Sequence, residues 1–122
     1  FMGRSPVGFK NIISLGSLDS HGVANELRKS DIYITASEND PCSNSLIEAM
    51  GCNLPTLALK SGGHPELVEQ AGLLYNKKEE IVNKLENLCD NYMNYQSNIT
   101  KRTIESATSM YIRFFGDLPV EN

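Results

Sequence analysis

Asp40 and Glu48 stand with seven residues between them in Ser37-Glu38-Asn39-Asp40-Pro41-Cys42-Ser43-Asn44-Ser45-Leu46-Ile47-Glu48-Ala49-Met50-Gly51. The stretch leads from an acidic, proline-containing loop into a short apolar helix with a polar first turn. If Ser43 or Ser45 caps that helix, the backbone N–H groups near Asn44, Ser45 and Leu46 point outward without intrahelical partners. Those donors and the helix dipole would stabilise a diphosphate. Glu48 lies about one turn further in, where its carboxylate can accept hydrogen bonds from vicinal hydroxyls such as those of a ribose. Asp40, ahead of the helix, can meet a sugar held beyond the phosphates. A plainer reading fits the same letters. Ser45-Leu46-Ile47-Glu48 matches a capping box, and Asp40-Pro41 is a common turn pair. Spacing alone leaves both readings open.

A second loop, Leu59-Lys60-Ser61-Gly62-Gly63-His64-Pro65-Glu66, offers two adjacent glycines. They permit positive φ and close approach of the backbone to a ligand, and they equally serve a tight strand-to-helix turn. His64 suits a helix N-cap or a proton carrier, although no nucleophile is paired with it in sequence. Lys60 reads as a solvated loop lysine. Cys42, Cys52 and Cys89 read as small residues in or near the core.

These loops need a frame. Ile12-Ile13-Ser14-Leu15, closed by Gly16, reads as a buried strand. Residues 23–29 read as a helix carrying Val23, Ala24 and Leu27 on one face. Ile32-Tyr33-Ile34-Thr35 follows as a β-branched and aromatic strand. After the quoted helix, Pro55 leads into the strand Thr56-Leu57-Ala58-Leu59. Residues 65–71 form a short helix with Pro65 at its first position and Gly72 past its end. Leu73-Leu74-Tyr75 is a minimal fourth strand. Residues 77–93 repeat apolar positions at helical spacing (Ile81, Val82, Leu85, Leu88, Cys89, Tyr92). A last helix, about 99–115, lines up Ile104, Ala107, Tyr111 and Phe115. This alternation predicts an α/β fold, a Rossmann-like parallel sheet with helices on both faces. In such sheets ligands bind at the carboxyl ends of the strands, so the loops 36–44 and 60–64 belong on one edge.

The bulk numbers narrow the function classes. With 122 residues, the natural expectation is a single domain, 1–122. Hydrophobic residues make up 40% and charged residues 21%, which describes a globular chain. Eleven basic and fifteen acidic residues are interspersed, giving a net charge of −4 and no basic face for nucleic acid. Three cysteines without a C-x-x-C pair, and only His21 and His64 beside them, predict neither a zinc site nor a disulfide framework. No apolar run reaches the roughly 20 residues of a membrane span. A reducing cytoplasm is the expected setting. Phe1, rather than Met, stands first, as expected of a piece of a longer protein.

Three segments together resemble a known family: Ser30-Asp31-Ile32-Tyr33-Ile34-Thr35-Ala36-Ser37, then 40–55, then Gly62-Gly63-His64-Pro65-Glu66-Leu67-Val68. They are similar to the donor-binding domain of GT-B glycosyltransferases, in particular the large retaining family called family four, or glycosyl transferases group one. Its signature is an acidic residue, seven residues, Glu, an Ala-Met-Ala/Gly turn, a Pro-initiated strand and a Gly-Gly-x-x-Glu loop. Here these are Asp40 and Glu48, Ala49-Met50-Gly51, Pro55-Thr56-Leu57-Ala58, and Gly62-Gly63-His64-Pro65-Glu66. The resemblance covers about 11–90.

It implies half of a GT-B fold, an incomplete C-terminal nucleotide-sugar-binding domain whose N-terminal acceptor domain is absent from the chain. Glu48 would hold the ribose of a UDP- or GDP-sugar. The amides of Ser45 and Leu46 would meet the diphosphate, and Gly62 and Gly63 would lie on the same donor. Asp40, with the Cys42, Ser43 and Asn44 backbone, would face the transferred sugar, Asp40 as the catalytic position. Transfer would retain the anomeric configuration and need no metal or other cofactor. The partners implied are the nucleotide-sugar donor and the N-terminal domain of the same parent chain. The parent would serve glycan biosynthesis in the cytoplasm, or peripherally at the inner face of the membrane, and this fragment alone would be inactive.

Two departures stand out. The family's first acidic residue is usually Glu, and here it is Asp40, one methylene shorter. Glu38 has the wrong spacing to Glu48 to replace it. The Arg and Lys that the family brings to the donor phosphates are imitated by Arg4 and Lys10, but Lys10 runs straight into Ile12 with no intervening helix, so neither is assigned that role. The competing expectation is a non-catalytic α/β binding module with a degenerate site.

Overall fold

The computed structural model describes residues 1–117. Three parallel strands, β1 (Tyr33–Thr35), β2 (Thr56–Leu59) and β3 (Gly72–Tyr75), form one sheet in the order β1-β2-β3. Ile34 lies opposite Leu57, which lies opposite Leu73. Around the sheet come α1 (Ser20–Arg28), α2 (Asn44–Gly51), α3 (His64–Val68), α4 (Ile81–Asp90), α5 (Tyr92–Ser97) and α6 (Ile104–Gly116).

The central strand explains the layering. Thr56, Leu57 and Ala58 are all buried, as a parallel strand covered on both faces must be. Ala58 packs with Leu46 and Met50 of α2 and with Val68 and Ala71. On the opposite face, Leu57 packs with Tyr75 and Leu88, and Ile81, Leu85 and Tyr95 close around them. Helices therefore cover both faces, as the alternation predicts. A third cluster joins Leu27 of α1 to Ala49 and Leu54, with Val23 and Tyr33 against it.

Four expectations need correction. The run Ile12-Ile13-Ser14-Leu15 is not a strand of the sheet, and Ile13 is 80% exposed. Its segment makes one isolated parallel bridge, Met2 with Gly16, and a short apolar run gains strand structure only where a neighbouring strand pairs along its length. The helical pattern over 77–93 divides into a 3₁₀ turn (Lys78–Glu80), α4 and α5, because Asn91 leaves helical geometry at φ −112° and ψ 24°. The last helix starts at Ile104, where Thr103 and Ser106 form a reciprocal capping box, and its apolar stripe is exposed. Periodicity identifies the stripe without supplying a partner for it. Cys42 and Cys89 are also exposed, and only Cys52 is half-buried.

Glu80 closes the turn before α4. Its carboxylate pairs with Lys84 at 3.0 Å and accepts the Asn76 N–H at 3.3 Å, while Lys84 also donates to the Leu74 carbonyl. The Lys84 hydrogen bond, followed by the Asn76 N–H, holds the Glu80 carboxyl below the usual carboxylate range. A depressed folded-state pKa contributes stability above the unfolded pKa and loses it as pH falls through the folded one. In Lys84→Met, which keeps the apolar stem, the Glu80 midpoint followed by carboxyl NMR is expected to move upward. An unmoved midpoint would show that Lys84 does not hold the carboxylate.

Candidate functional site

The carboxyl ends of β1 and β2 lie side by side, so the loops that follow them leave the same edge of the sheet. There they are fastened together. The Asn39 N–H donates to Ser61 Oγ at 2.9 Å, and the Gly63 N–H donates to the Asp40 carbonyl at 2.9 Å. Gly62 takes φ +53°, and a Cβ on it would stand 2.2 Å from the Asp40 carbonyl oxygen. A Cβ on Gly63 would stand 2.2 Å from the Pro41 carbonyl oxygen. The glycine pair is thus required by the backbone of the first loop, whichever ligand approaches it.

His64 completes the fastening from inside. The residue is fully buried, with Nδ1 2.7 Å from the Leu59 carbonyl and Nε2 3.4 Å from Ser37 Oγ. A carbonyl only accepts, so Nδ1 carries a proton and donates it to Leu59, while Nε2 faces the Ser37 hydroxyl. Gly63, not His64, is the N-cap of α3. Both ring nitrogens are engaged in holding the ends of two strands, an arrangement of support rather than proton transfer. Tyr75 adds to it from β3, donating its hydroxyl to the Thr35 carbonyl at 3.2 Å. Burial pushes the Tyr75 phenol up, which keeps it a donor.

Asp40 is half-buried, and its Oδ1 accepts the Cys42 N–H at 3.1 Å, the Asx turn that its neighbour Pro41 suggests. Helix α2 begins with Ser43 as N-cap in extended backbone, its hydroxyl buried and making no cap hydrogen bond. The first i→i−4 bond is donated by Ile47 to Ser43 at 3.1 Å, so the amides of Asn44, Ser45 and Leu46 precede the helical ladder. The capping box suggested by Ser45 and Glu48 does not form. With the cap at Ser43, Ser45 is already the second helical residue, and Glu48 is too far along to reach back. Its side chain is exposed and has no hydrogen-bond partner among the described residues.

Glu48 and Ser45 line an open cavity of about 830 Å³ together with Tyr33, Thr35, Ser37 and apolar residues of the first 18 positions. That volume falls within the range of small-molecule sites, roughly 300–1,000 Å³. Cys42, Ser43, Asn44 and Leu46 lie outside its lining, around the start of α2, as do Asp40, Gly62 and Gly63, at the neighbouring loop junction. Arg4 reaches Ser17 Oγ at 3.3 Å, and Lys60 is exposed. Among the described residues no group of three or more histidine, cysteine or carboxylate side chains is arranged to hold a metal ion.

One residue of the site was not legible as such in the sequence. The Tyr33 hydroxyl donates to Ser45 Oγ at 2.7 Å, and Ser45 Oγ lies 3.3 Å from Ser43 Oγ. Tyr33 reads as an ordinary strand aromatic. The available signal was parity: in β1 Tyr33 and Thr35 share the face that packs on α2.

Comparison with known proteins places this geometry in context. The profile of the family described as Glycosyl transferases group 1 matches residues 4–91. A curated protein of Thermosipho melanesiensis, described as a probable sucrose-phosphate synthase, is 30% identical over 79 residues, covering 63% of this chain. The match spans 19% of that relative, so this chain corresponds to a minor part of its length.

Proposed function

The chain belongs to the glycosyl transferases of group 1, and from that footing we propose that it forms the donor-binding part of an enzyme moving a sugar from a nucleoside-diphosphate sugar to an acceptor. The observation that carries the proposal is the placement of Glu48. Its exposed, unbonded carboxylate sits on the cavity wall beside Ser45, one turn beyond three free amides. In this reading the amides of Asn44, Ser45 and Leu46 seat the diphosphate and Glu48 accepts from the ribose hydroxyls. Asp40 and the Cys42–Asn44 backbone face the transferred sugar, with Gly62 and Gly63 behind them. Transfer proceeds with retention and without a metal, the phosphate charge being met by helix amides. The acceptor is held by an N-terminal domain of the parent chain, in the cytoplasm. Among the described residues no helix is long and apolar enough to cross a membrane. Catalysis requires both substrates in one geometry, so this part alone binds without turning over.

The test is titration of the chain with UDP- and GDP-sugars, followed by backbone NMR. Shifts centred on residues 43–48 are expected. Their absence at millimolar ligand would refute a formed donor site in this chain.

A further inference from the structure

We infer that Tyr33 is a positioning residue for the diphosphate, acting through the Ser45 hydroxyl. The inference rests on the donor-site reading above and adds a side-chain donor to the amides that reading already uses.

Proton bookkeeping along three hydroxyls carries it. Tyr33 Oη donates to Ser45 Oγ at 2.7 Å, and Ser43 Oγ stands 3.3 Å on the other side of the same oxygen. Ser43 is 1% exposed and makes no cap hydrogen bond to the helix. A buried hydroxyl proton left without an acceptor costs free energy, and Ser45 Oγ is the acceptor within reach. Ser43 therefore donates to Ser45 as well. Ser45 then accepts two hydrogen bonds, filling both lone-pair positions of its oxygen. Its own proton has only one way to go, outward into the cavity that Ser45 lines with Glu48 and Tyr33.

The consequence is a hydroxyl fixed as a donor. An unconstrained serine at a helix start can rotate its proton toward a backbone carbonyl, or offer lone pairs to the cavity. Here the acceptor side is occupied, and an anion meets a proton rather than a lone pair. Hydrogen bonds in series polarise one another, so the two donors behind Ser45 also strengthen the bond it gives. Tyr33 suits this task because its ring is anchored twice. It packs against the cluster that holds Leu46, Met50 and Ala58 and also against the cluster of Leu27, Ala49 and Leu54. The ring is held against the core while the phenol hydroxyl, at the wall of the cavity that Tyr33 itself lines, donates to the serine.

Tyr33→Phe removes one oxygen and leaves that packing in place. In the full-length protein, UDP and GDP affinities and the donor KM are expected to weaken about fivefold, the scale of one hydrogen bond to a charged group lost in part. The kcat and the melting temperature should be nearly unchanged. The decisive measurement is a double-mutant cycle with Ser45→Ala. If Tyr33 acts through the Ser45 proton, Tyr33→Phe has no further effect once that hydroxyl is gone. Full additivity of the two losses, or unchanged affinity in Tyr33→Phe, would overturn the inference. Glu48→Ala measured alongside separates the two levels. If it also leaves nucleotide affinity unchanged, the donor-site reading itself has failed, whereas a loss there with none in Tyr33→Phe rejects the role of Tyr33 alone.

Discussion

In the full-length protein, Glu48→Ala is expected to lower sugar transfer by about a hundredfold or more while shifting stability by no more than about 0.5 kcal/mol. The two halves of this expectation come from the same observation. Glu48 is exposed, makes no hydrogen bond among the described residues and does not cap α2, which takes its N-cap from Ser43. Its removal therefore costs the free protein little. In the donor complex the carboxylate would accept from two vicinal hydroxyls. Charge-assisted hydrogen bonds contribute about 1.5–3 kcal/mol each, so losing both reaches two orders of magnitude or more. Steady-state transfer and a melting curve on the same preparation make the comparison. Transfer unchanged, with the fold intact, would remove the ribose role from Glu48, whereas no transfer by the unmutated protein would favour the alternative of an α/β module that kept the architecture and not the chemistry. A large fall in melting temperature would instead show that Glu48 supports the helix.

The sequence made the sheet legible because the three strands each carry a dense β-branched or apolar run bounded by turn residues. Leu57 and Ala58 face opposite sides and are both buried, so continuous hydrophobicity marked β2 correctly as a strand covered twice. The same rule misread Ile12-Ile13, where the run is equally apolar but lacks a strand along its length to pair with. Local pattern reports what a segment can bury; whether a neighbour is present is a property of the whole chain. The stripe of α6 teaches the same point, with Ile104, Tyr111 and Phe115 all exposed along a properly capped helix.

At the site, the spacing of Asp40 and Glu48 was readable, but their states were not. Glu48 had a credible role as a capping partner until Ser43 proved to be the N-cap of the helix. Tyr33 was hidden for a different reason. Its hydroxyl meets Ser45 across twelve positions, and a contact between a strand and the following helix depends on parity and register together. His64 shows the reverse case. A histidine in a glycine loop invites a catalytic reading, yet burial and two partners 5 and 27 positions away make it a strut.

The loop junction yields the second large effect. Gly62→Ala should reduce transfer by about a hundredfold even if no atom of Gly62 touches the donor. An alanine Cβ at this position would lie 2.2 Å from the Asp40 carbonyl oxygen and 2.9 Å from the Asp40 nitrogen, at a φ of +53° that side chains rarely adopt. The obstacle is backbone, so it cannot swing aside as a flexible side chain would. Relief to an ordinary contact near 3.4 Å requires the Asp40 segment and the glycine loop to part by about 1 Å. Three fastenings resist that movement: the Gly63 N–H on the Asp40 carbonyl, the Asn39 N–H on Ser61, and Ser37 on buried His64. Some of them must stretch, and Asp40 moves with them. A displacement of this size at a reacting group can cost about a hundredfold in rate. Because Asp40 is assigned to the sugar and Glu48 to the ribose, the loss should fall on kcat more than on affinity for UDP or GDP. Comparing nucleotide affinity with turnover in Gly62→Ala therefore tests the division of labour along the site. Equal losses in both would place Asp40 and Glu48 on the same part of the donor and reject the linear arrangement.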